Sequence, residues 1–541
     1  MKALCVLYGG MLENEAFEKV LPGTSGPIMQ QPFRQESAFS LALAAASRFP
    51  GVEKTVFFGM EGRDYPGLPD SVSRVLRPSW NRKSLLEELS KVSSGYELTF
   101  FVWADCPLLD PALAASLAER HLRYGAEYSY ADGWPYGFAP EILSPGTAGI
   151  LAKILEGNAA EADAPVERDT LFQVIQKDIN AFDIETEISP ADLRPYRLTL
   201  AADSKRNLLL LSRLMSAGLA SAADAEKFLT ENPALLRTLP AFFGIQVSSA
   251  CPQTCSLCPW PVYRGREGAL TGGKDFMPKA AFAALLDKIA DFAGDAVIDL
   301  SLWGELSLHP EKIELIETVL SRPALSLIVE TSGIGWKGEE LEALAAAAKK
   351  AARRKNRMAG LSWIVSLDAH DPARYKEVRG PGFTEAQDCA KKLLSLFPGD
   401  TYVQAVRVNG FEDDIERFYR FWKEEGASRG QPDGSHIIIQ KYDDFAGALP
   451  KLQASDLSPV RRRPCWHIQR DMNILPDGTV PLCREDIEAL RGKANRPVLG
   501  NAFNEELSVV WERGAALYLE HSALEYKGIC SGCDEYYTYN F

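Results

Sequence analysis

"FFGIQVSSACPQTCSLCPW", residues 242 to 260, starts as an apolar run of strand formers and ends among three cysteines, Cys251, Cys255 and Cys258. Five more β-rich runs follow it: "AVIDLSLW", "LSLIVETS", "LSWIVSLD", "YVQAVRV" and "HIIIQKY". Helical patterns separate them at 278–292, 309–321, 338–356, 384–397 and 412–426. Strands and helices alternating in this way build a parallel sheet or barrel, and six such units predict an incomplete barrel. Ligands of these folds gather at the carboxyl ends of the strands. The first strand ends where the cysteines begin, so the loop is where chemistry is expected.

The chain has 541 residues, more than one core supports, so two or three domains are expected. Hydrophobic residues at 46% and charged residues at 24% are ordinary for a soluble globular protein. The 59 Lys and Arg against 73 Asp and Glu leave a charge of -14, which repels polyphosphate, so nucleic acid is not an expected partner. "MKALCVLYGG" has too few apolar residues for a signal h-region, and no run of about eighteen apolar residues follows. A cytoplasmic chain without a membrane partner is expected. In a reducing compartment its ten cysteines should be free thiols, metal ligands or catalytic groups. Three lie at 251, 255 and 258 and four at 465, 483, 530 and 533, while Cys5, Cys106 and Cys389 stand alone as small hydrophobes.

"RNLLLLSRLMSAG" reads as a helix with a Gly stop and "SAADAEKFLTENPALL" as one with a Ser cap; Pro233 and Pro240 then mark a boundary. The Ala-rich basic stretch "ALAAAAKKAARRKNR" reads as a solvated helix face. "RRR" at 461–463 reads as a solvated loop, and His309, His436 and His467 as structural histidines.

Three thiolates separated by three and two residues can grip three corners of a cubane, whereas a structural zinc needs a fourth ligand. On this C-x3-C-x2-C loop the sequence resembles the radical S-adenosylmethionine (SAM) superfamily. "LWGELSLHP" resembles that family's Gly-Gly-Glu-Pro turn and "VETSG" its T-x-G turn. "VSLDAHDPARYKEVRG" resembles the fourth-strand segment of radical SAM peptide and sulfatase maturases. The resemblance implies that Cys251, Cys255 and Cys258 hold a 4Fe-4S cluster whose open iron chelates SAM, which one electron then cleaves to a 5′-deoxyadenosyl radical. It implies SAM contacts for Gly304, Glu305, Ser332, Ser366 and Arg379, and an electron donor such as flavodoxin or ferredoxin. A zinc loop or unligated core cysteines is the alternative.

Near the end, "NILPDGTVPLC" reads as a β-hairpin turning at Asp477 and Gly478. Cys465, Cys483, Cys530 and Cys533, with "DGTVPLC" and "LGN", resemble the SPASM/twitch extension of radical SAM enzymes. That resemblance implies one fully ligated auxiliary 4Fe-4S cluster; a four-cysteine zinc site is the rival. Arg484 stands where sulfatase maturases carry an Asp, so sulfatase maturation is not expected.

Ahead of all this, "ALCVLYGG" is a strand running into a Gly-rich turn, and "LTFFVWADCPLLDPALAASLAERHL" a buried strand, an acidic turn and a helix with an Asp cap. With "YRLTLAADSKRNLLLLSRL", these segments resemble nucleotide-sugar cytidylyltransferases of the spore-coat polysaccharide type. The resemblance implies that Asp105 and Asp203 hold Mg²⁺ on a nucleotide. "GGMLENEAFEKVLPG" keeps only Lys19 and Leu-Pro-Gly of the family's basic loop and sets three glutamates where phosphate would sit. A degenerate binding or scaffolding domain is expected, in which Asp105 and Asp203 serve as turn and capping residues.

The expected chain is α/β: a Rossmann-like, GT-A-like nucleotidyltransferase domain at 1–218, a helical linker at 219–241, a partial (βα)6 radical SAM barrel at 242–445 and a small α+β SPASM/twitch domain at 446–541. The expected reaction is hydrogen abstraction from a peptide or from a sugar or nucleotide-sugar. The other reading is a nucleotidyltransferase or nucleotide-binding protein whose cysteine sites are structural.

Overall fold

The computed structural model describes residues 1–12, 37–263, 276–431, 433–487 and 498–538. Two compact units emerge, Met1–Leu236 and Arg237–Phe541. No described helix is long and apolar enough to cross a membrane.

The first unit is built on seven strands: β1 (Ala3–Tyr8), β2 (Val52–Met60), β3 (Ser73–Arg77), β4 (Leu98–Trp103), β5 (Tyr128–Asp132), β6 (Glu141–Leu143) and β7 (Ile184–Ile188). Their order is β3-β2-β1-β4-β6-β5-β7. β1 runs parallel to both neighbours, Tyr8 lying opposite Phe58 and Trp103, and β6 alone is antiparallel to both of its own. All six residues of β1 are buried, as an unbroken apolar run in a sheet covered on both faces must be. The order reverses between β1 and β4, which opens a crevice at their carboxyl ends. Asp110 caps the helix Pro111–Tyr124 by accepting from the Ala112 and Leu113 amides, and Gly125 at φ +65 ends it. The two helices at the end of the unit are Lys205–Ser216 and Ala225–Glu231, and the second is preceded by Asp224 rather than by the expected Ser cap. The glutamate-rich loop with Lys19 lies outside the described residues.

The second unit holds the predicted alternation: β8 (Phe242–Ile245), β9 (Ala296–Asp299), β10 (Leu325–Thr331), β11 (Leu361–Ser366), β12 (Thr401–Arg407) and β13 (Ile437–Lys441). The predicted helices between them are Lys279–Ala293, Lys312–Leu320, Gly338–Lys350, Phe383–Leu396 and Glu412–Ala427, and a short helix Pro372–Val378 precedes the fourth of these. A seventh strand, β14 (Asp471–Ile474), completes the sheet in the order β13-β12-β11-β10-β9-β8-β14, parallel throughout. The expected hairpin is present only at its tip. Its first arm lies along the edge of β8, Asp471 opposite Phe242, and covers backbone groups that would otherwise be an open edge. The turn at Asp477 and Gly478 is present and is closed by the Leu475 amide donating to the Thr479 carbonyl at 2.9 Å, while the returning residues Thr479–Val480 also pair with Gly500–Asn501.

Period-two alternation sorts each strand. One face, with Phe243, Ile298, Leu327, Val329, Trp363, Val365 and Val403, packs on the helices as the main core. The other carries Phe242, Val297, Ile328 and Ile364 as a smaller apolar floor. Two residues further along β9, β10 and β11, that same face changes to Asp299, Glu330 and Ser366. The sheet therefore presents a polar mouth above an apolar floor. Within the Ala-rich helix region, Arg354 is buried and donates to the Leu320 and Arg322 carbonyls, so the solvated face expected there does not extend to it.

Candidate active site

The cysteine loop leaves β8 and is pinned from both sides. The Trp260 indole donates to the Ser249 carbonyl at 2.9 Å, the Glu305 amide to Ala250 at 2.7 Å, and the Ser256 amide to Val378 at 2.8 Å. Gly304 sits at φ +85, where a Cβ would run into the Ser248 carbonyl, so the turn after β9 can close on the loop only with glycine. Cys251, Cys255 and Cys258 are partly buried and line one cavity of about 230 Å³. Burial pushes the Cys251 thiol up to about 11 and Cys258 up to about 12. It raises Cys255 as well, against the pull of the Arg379 guanidinium. A metal at these thiols must therefore displace protons.

Gly304, Glu305, Ser332, Ser366 and Arg379 line the same cavity. The eight residues singled out for the cluster and SAM are thus brought together. Their side chains also hold each other. Glu305 accepts from the Thr331 hydroxyl and the Ser332 amide, each at 2.7 Å, tying the turn after β9 to the turn after β10. The Ser366 hydroxyl donates to Glu330 at 2.7 Å, and Arg379 donates to Gln253 at 3.0 Å and pairs with Asp368. Burial opposes the charge of Arg379, but negative charge at Cys255 and Asp368 outweighs it and raises its pKa further. Asp368 stands at φ +61, a left-handed conformation costly outside glycine, held by the Val406 amide and Arg379.

Sequence reading missed Asp299, Glu330, Asp368, Gln404 and Asn473, which complete the wall. The signal was present for two of them: Asp299 and Glu330 are polar residues at the carboxyl ends of the mainly apolar strands β9 and β10. Burial, with the nearby Glu330 carboxylate, raises Asp299 to about 7. Between the unfolded value of about 4 and pH 7, the folded state binds a proton that the unfolded state has released, so stability falls as pH rises through this window. Asp299→Asn should remove that fall. Its Tm, compared with the unsubstituted chain by scanning calorimetry from pH 4 to 8, should be matched at pH 4 and higher by about 5 °C at pH 8.

Cys465, Cys483, Cys530 and Cys533 form the second group. Burial first, and then the neighbouring Cys530, raises the Cys465 thiol, and burial with Glu485, Cys465 and Cys533 raises that of Cys483, which places the four near one another. Burial pushes the Cys465 thiol up to about 12. The Glu485 amide donates to the Cys483 sulfur at 3.4 Å and the Glu535 amide to Cys533 at 3.3 Å, contacts that favour thiolates. Thiolates on one zinc at about 2.3 Å stand roughly 3.8 Å apart. Among the described residues, the ligand atoms that gather in threes within 4.8 Å belong to Asp443, Asp444 and Asp534, not to either cysteine set. Arg462 of the expected solvated loop is instead a clamp, donating to the Cys530 carbonyl and lying over Tyr526 at 4.0 Å and Tyr536 at 4.6 Å. Arg484 lines the cavity and bonds Glu485 at 2.9 Å. His309, His436 and His467 each bond structural partners, the first two a backbone carbonyl and His467 the Asp471 carboxylate.

In the first unit Asp105 and Asp203 do meet, on Arg168. Its guanidinium donates to Asp105 at 3.1 Å and 2.6 Å and to Asp203 at 2.9 Å. The expected capping role is corrected: the cap of Lys205–Ser216 is Ser204, and both Asp105 oxygens are taken by Arg168.

A family model for the SPASM iron-sulfur cluster-binding domain matches residues 465–534. An uncharacterised Treponema pallidum (strain Nichols) protein is 37% identical over 378 residues, 69% of this chain and 98% of that protein. The solved Streptococcus suis SuiB bound to precursor peptide SuiA is similar over 68% of this chain and 82% of its own, at 15% identity and a TM-score of 0.41. A cytidylyltransferase from Leptospira borgpetersenii is similar over 43% of this chain and 95% of its own, at 14% identity and a TM-score of 0.34. Likenesses of that size leave the chemistry of this chain to its own residues.

Proposed function

The chain belongs to the family of the uncharacterised Treponema pallidum protein, and we propose that its second unit is a radical SAM enzyme with one auxiliary iron-sulfur cluster. One observation carries the reading: three cysteines of a C-x3-C-x2-C loop and five residues from the three strand-to-helix segments that follow line a single cavity. Cys251, Cys255 and Cys258 would hold a 4Fe-4S cluster with one iron left for SAM, and Cys465, Cys483, Cys530 and Cys533 a fully ligated one. The match of 465–534 to the cluster-binding family supports iron over zinc at the second cysteine set. When bound, the first cluster supplies the electron that cleaves the sulfonium of SAM.

The chain's own residues do the rest. Gly304 lets the turn after β9 close on the cysteine loop. Glu305 fixes the Ser332 turn, and Arg379 with Gln253 holds the loop from the far side. Glu330, Ser366 and Gln404 form one hydrogen-bonded wall whose polar atoms orient SAM and substrate. Trp260, Trp303, Leu475 and Ile487 pack as an apolar cluster beside Cys258 and keep water from a reactive intermediate. The substrate is a peptide or a sugar or nucleotide-sugar, and a flavodoxin- or ferredoxin-type protein supplies electrons.

The test is anaerobic reconstitution followed by metal counting and incubation with SAM and dithionite. About eight irons per chain, no zinc and release of 5′-deoxyadenosine are expected. Zinc at stoichiometric amounts with SAM left intact would overturn the reading.

A further inference from the structure

The first unit carries a cation of its own. Asp105 is fully buried at the end of β4, Asp203 lies at the start of the Lys205–Ser216 helix, and Arg168 comes from a turn before the helix Thr170–Ile175. The three meet at the carboxyl end of the sheet, beside the β1–β4 crevice. Both oxygens of Asp105 accept from the guanidinium, which also reaches one oxygen of Asp203; the other oxygen of Asp203 accepts from the Asn207 amide at 2.7 Å. The Trp103 and Tyr136 rings flank the guanidinium carbon at 4.7 Å and 5.1 Å. Burial opposes its charge, and Asp105, Tyr136 and Asp203 outweigh that, so it stays protonated.

Mg²⁺ takes carboxylate oxygens at about 2.1 Å in octahedral geometry. The oxygens it would need are those the guanidinium holds, so the residues present do not fit the ion. The Gly-rich turn after β1 is likewise filled: a Cβ on Gly10 would run into the Trp80 indole, which is anchored on the Gly59 carbonyl at 2.8 Å. We infer that Arg168 has taken the place of a divalent cation between Asp105 and Asp203, making the first unit a metal-independent domain that does not turn over nucleoside triphosphates. Two carboxylates and one guanidinium leave the triad at a net charge of about -1, which repels a phosphate chain. The inference is independent of the radical SAM reading.

Arg168→Ala should restore the cation site. The full chain, cluster-loaded and oxidised, is titrated with Mn²⁺ as an EPR-visible stand-in for Mg²⁺. Arg168→Ala should bind one more Mn²⁺ per chain than the unsubstituted protein, at least tenfold tighter than any site in this unit of that protein. The Arg168→Ala/Asp105→Asn double variant should lose it. Because Arg168→Ala strips a buried carboxylate of its partner, its Tm should fall and rise again with added Mn²⁺, while the unsubstituted Tm ignores the ion. Arg168→Gln, which keeps a donor for Asp105, supplies a folded variant if alanine is not tolerated, and it too should gain the site. The inference is overturned if the unsubstituted chain binds Mn²⁺ at a site that Asp105→Asn abolishes, or if neither Arg168 variant gains one.

Discussion

Replacing Cys255 with alanine should bring SAM cleavage below detection and lower the iron content from about eight to about four per chain. Cys255 is the middle cysteine of the three in the loop. A cubane held by three protein thiolates has no spare protein ligand to compensate for losing one, whereas a fully ligated cluster held by Cys465, Cys483, Cys530 and Cys533 is untouched by the change. The variant should therefore keep one cluster and lose the chemistry. Folding should survive: the side chain is partly exposed at the cavity rim, and the loop is held by backbone hydrogen bonds on either side of it. Iron counting and chromatography of 5′-deoxyadenosine check both halves. Eight irons retained, or cleavage retained, would mean that the loop is not the cluster site.

Gly304→Ala is expected to be nearly as damaging without touching a ligand. The residue lies at φ +85, and a Cβ there would meet the Ser248 and Ala250 carbonyls, which are backbone and cannot rotate away. Left-handed backbone costs a non-glycine residue about 1–2 kcal/mol before any clash. The clash adds to this by pushing apart the cysteine loop and the turn that carries Glu305, whose amide donates to the Ala250 carbonyl. The core lies on the opposite face of the sheet, so a modest loss of Tm is expected beside a loss of SAM affinity of more than about tenfold, since displacements near 1 Å in a site can cost about a hundredfold. Equilibrium dialysis with labelled SAM separates the two effects. Unchanged affinity would show that the turn does not shape the SAM site.

Much of this was legible before any coordinates. Cysteine spacing is a local property and survives in one dimension, and alternating strands and helices leave a clear period. The polar mouth was harder to see. Asp299, Glu330 and Gln404 look like interruptions in apolar runs until the strands are in register and their side chains share a face. The path of Asp471–Ile474 misled sequence reading for the opposite reason: a turn at Asp477 and Gly478 suggests that its two arms pair locally, while the free edge of β8 offers a longer ladder. Arg168 gave no signal at all. It lies 63 residues after Asp105 and 35 before Asp203, in an ordinary turn, and only the fold brings its charge between theirs.

The central claim is that the Cys251, Cys255 and Cys258 loop holds a cluster with an iron open to SAM. EPR of the dithionite-reduced full chain, recorded before and after adding SAM, tests it most directly. Two reduced-cluster signals are expected; SAM should shift one of them, and that one should be missing from Cys255→Ala. A spectrum that SAM leaves unchanged would contradict the account.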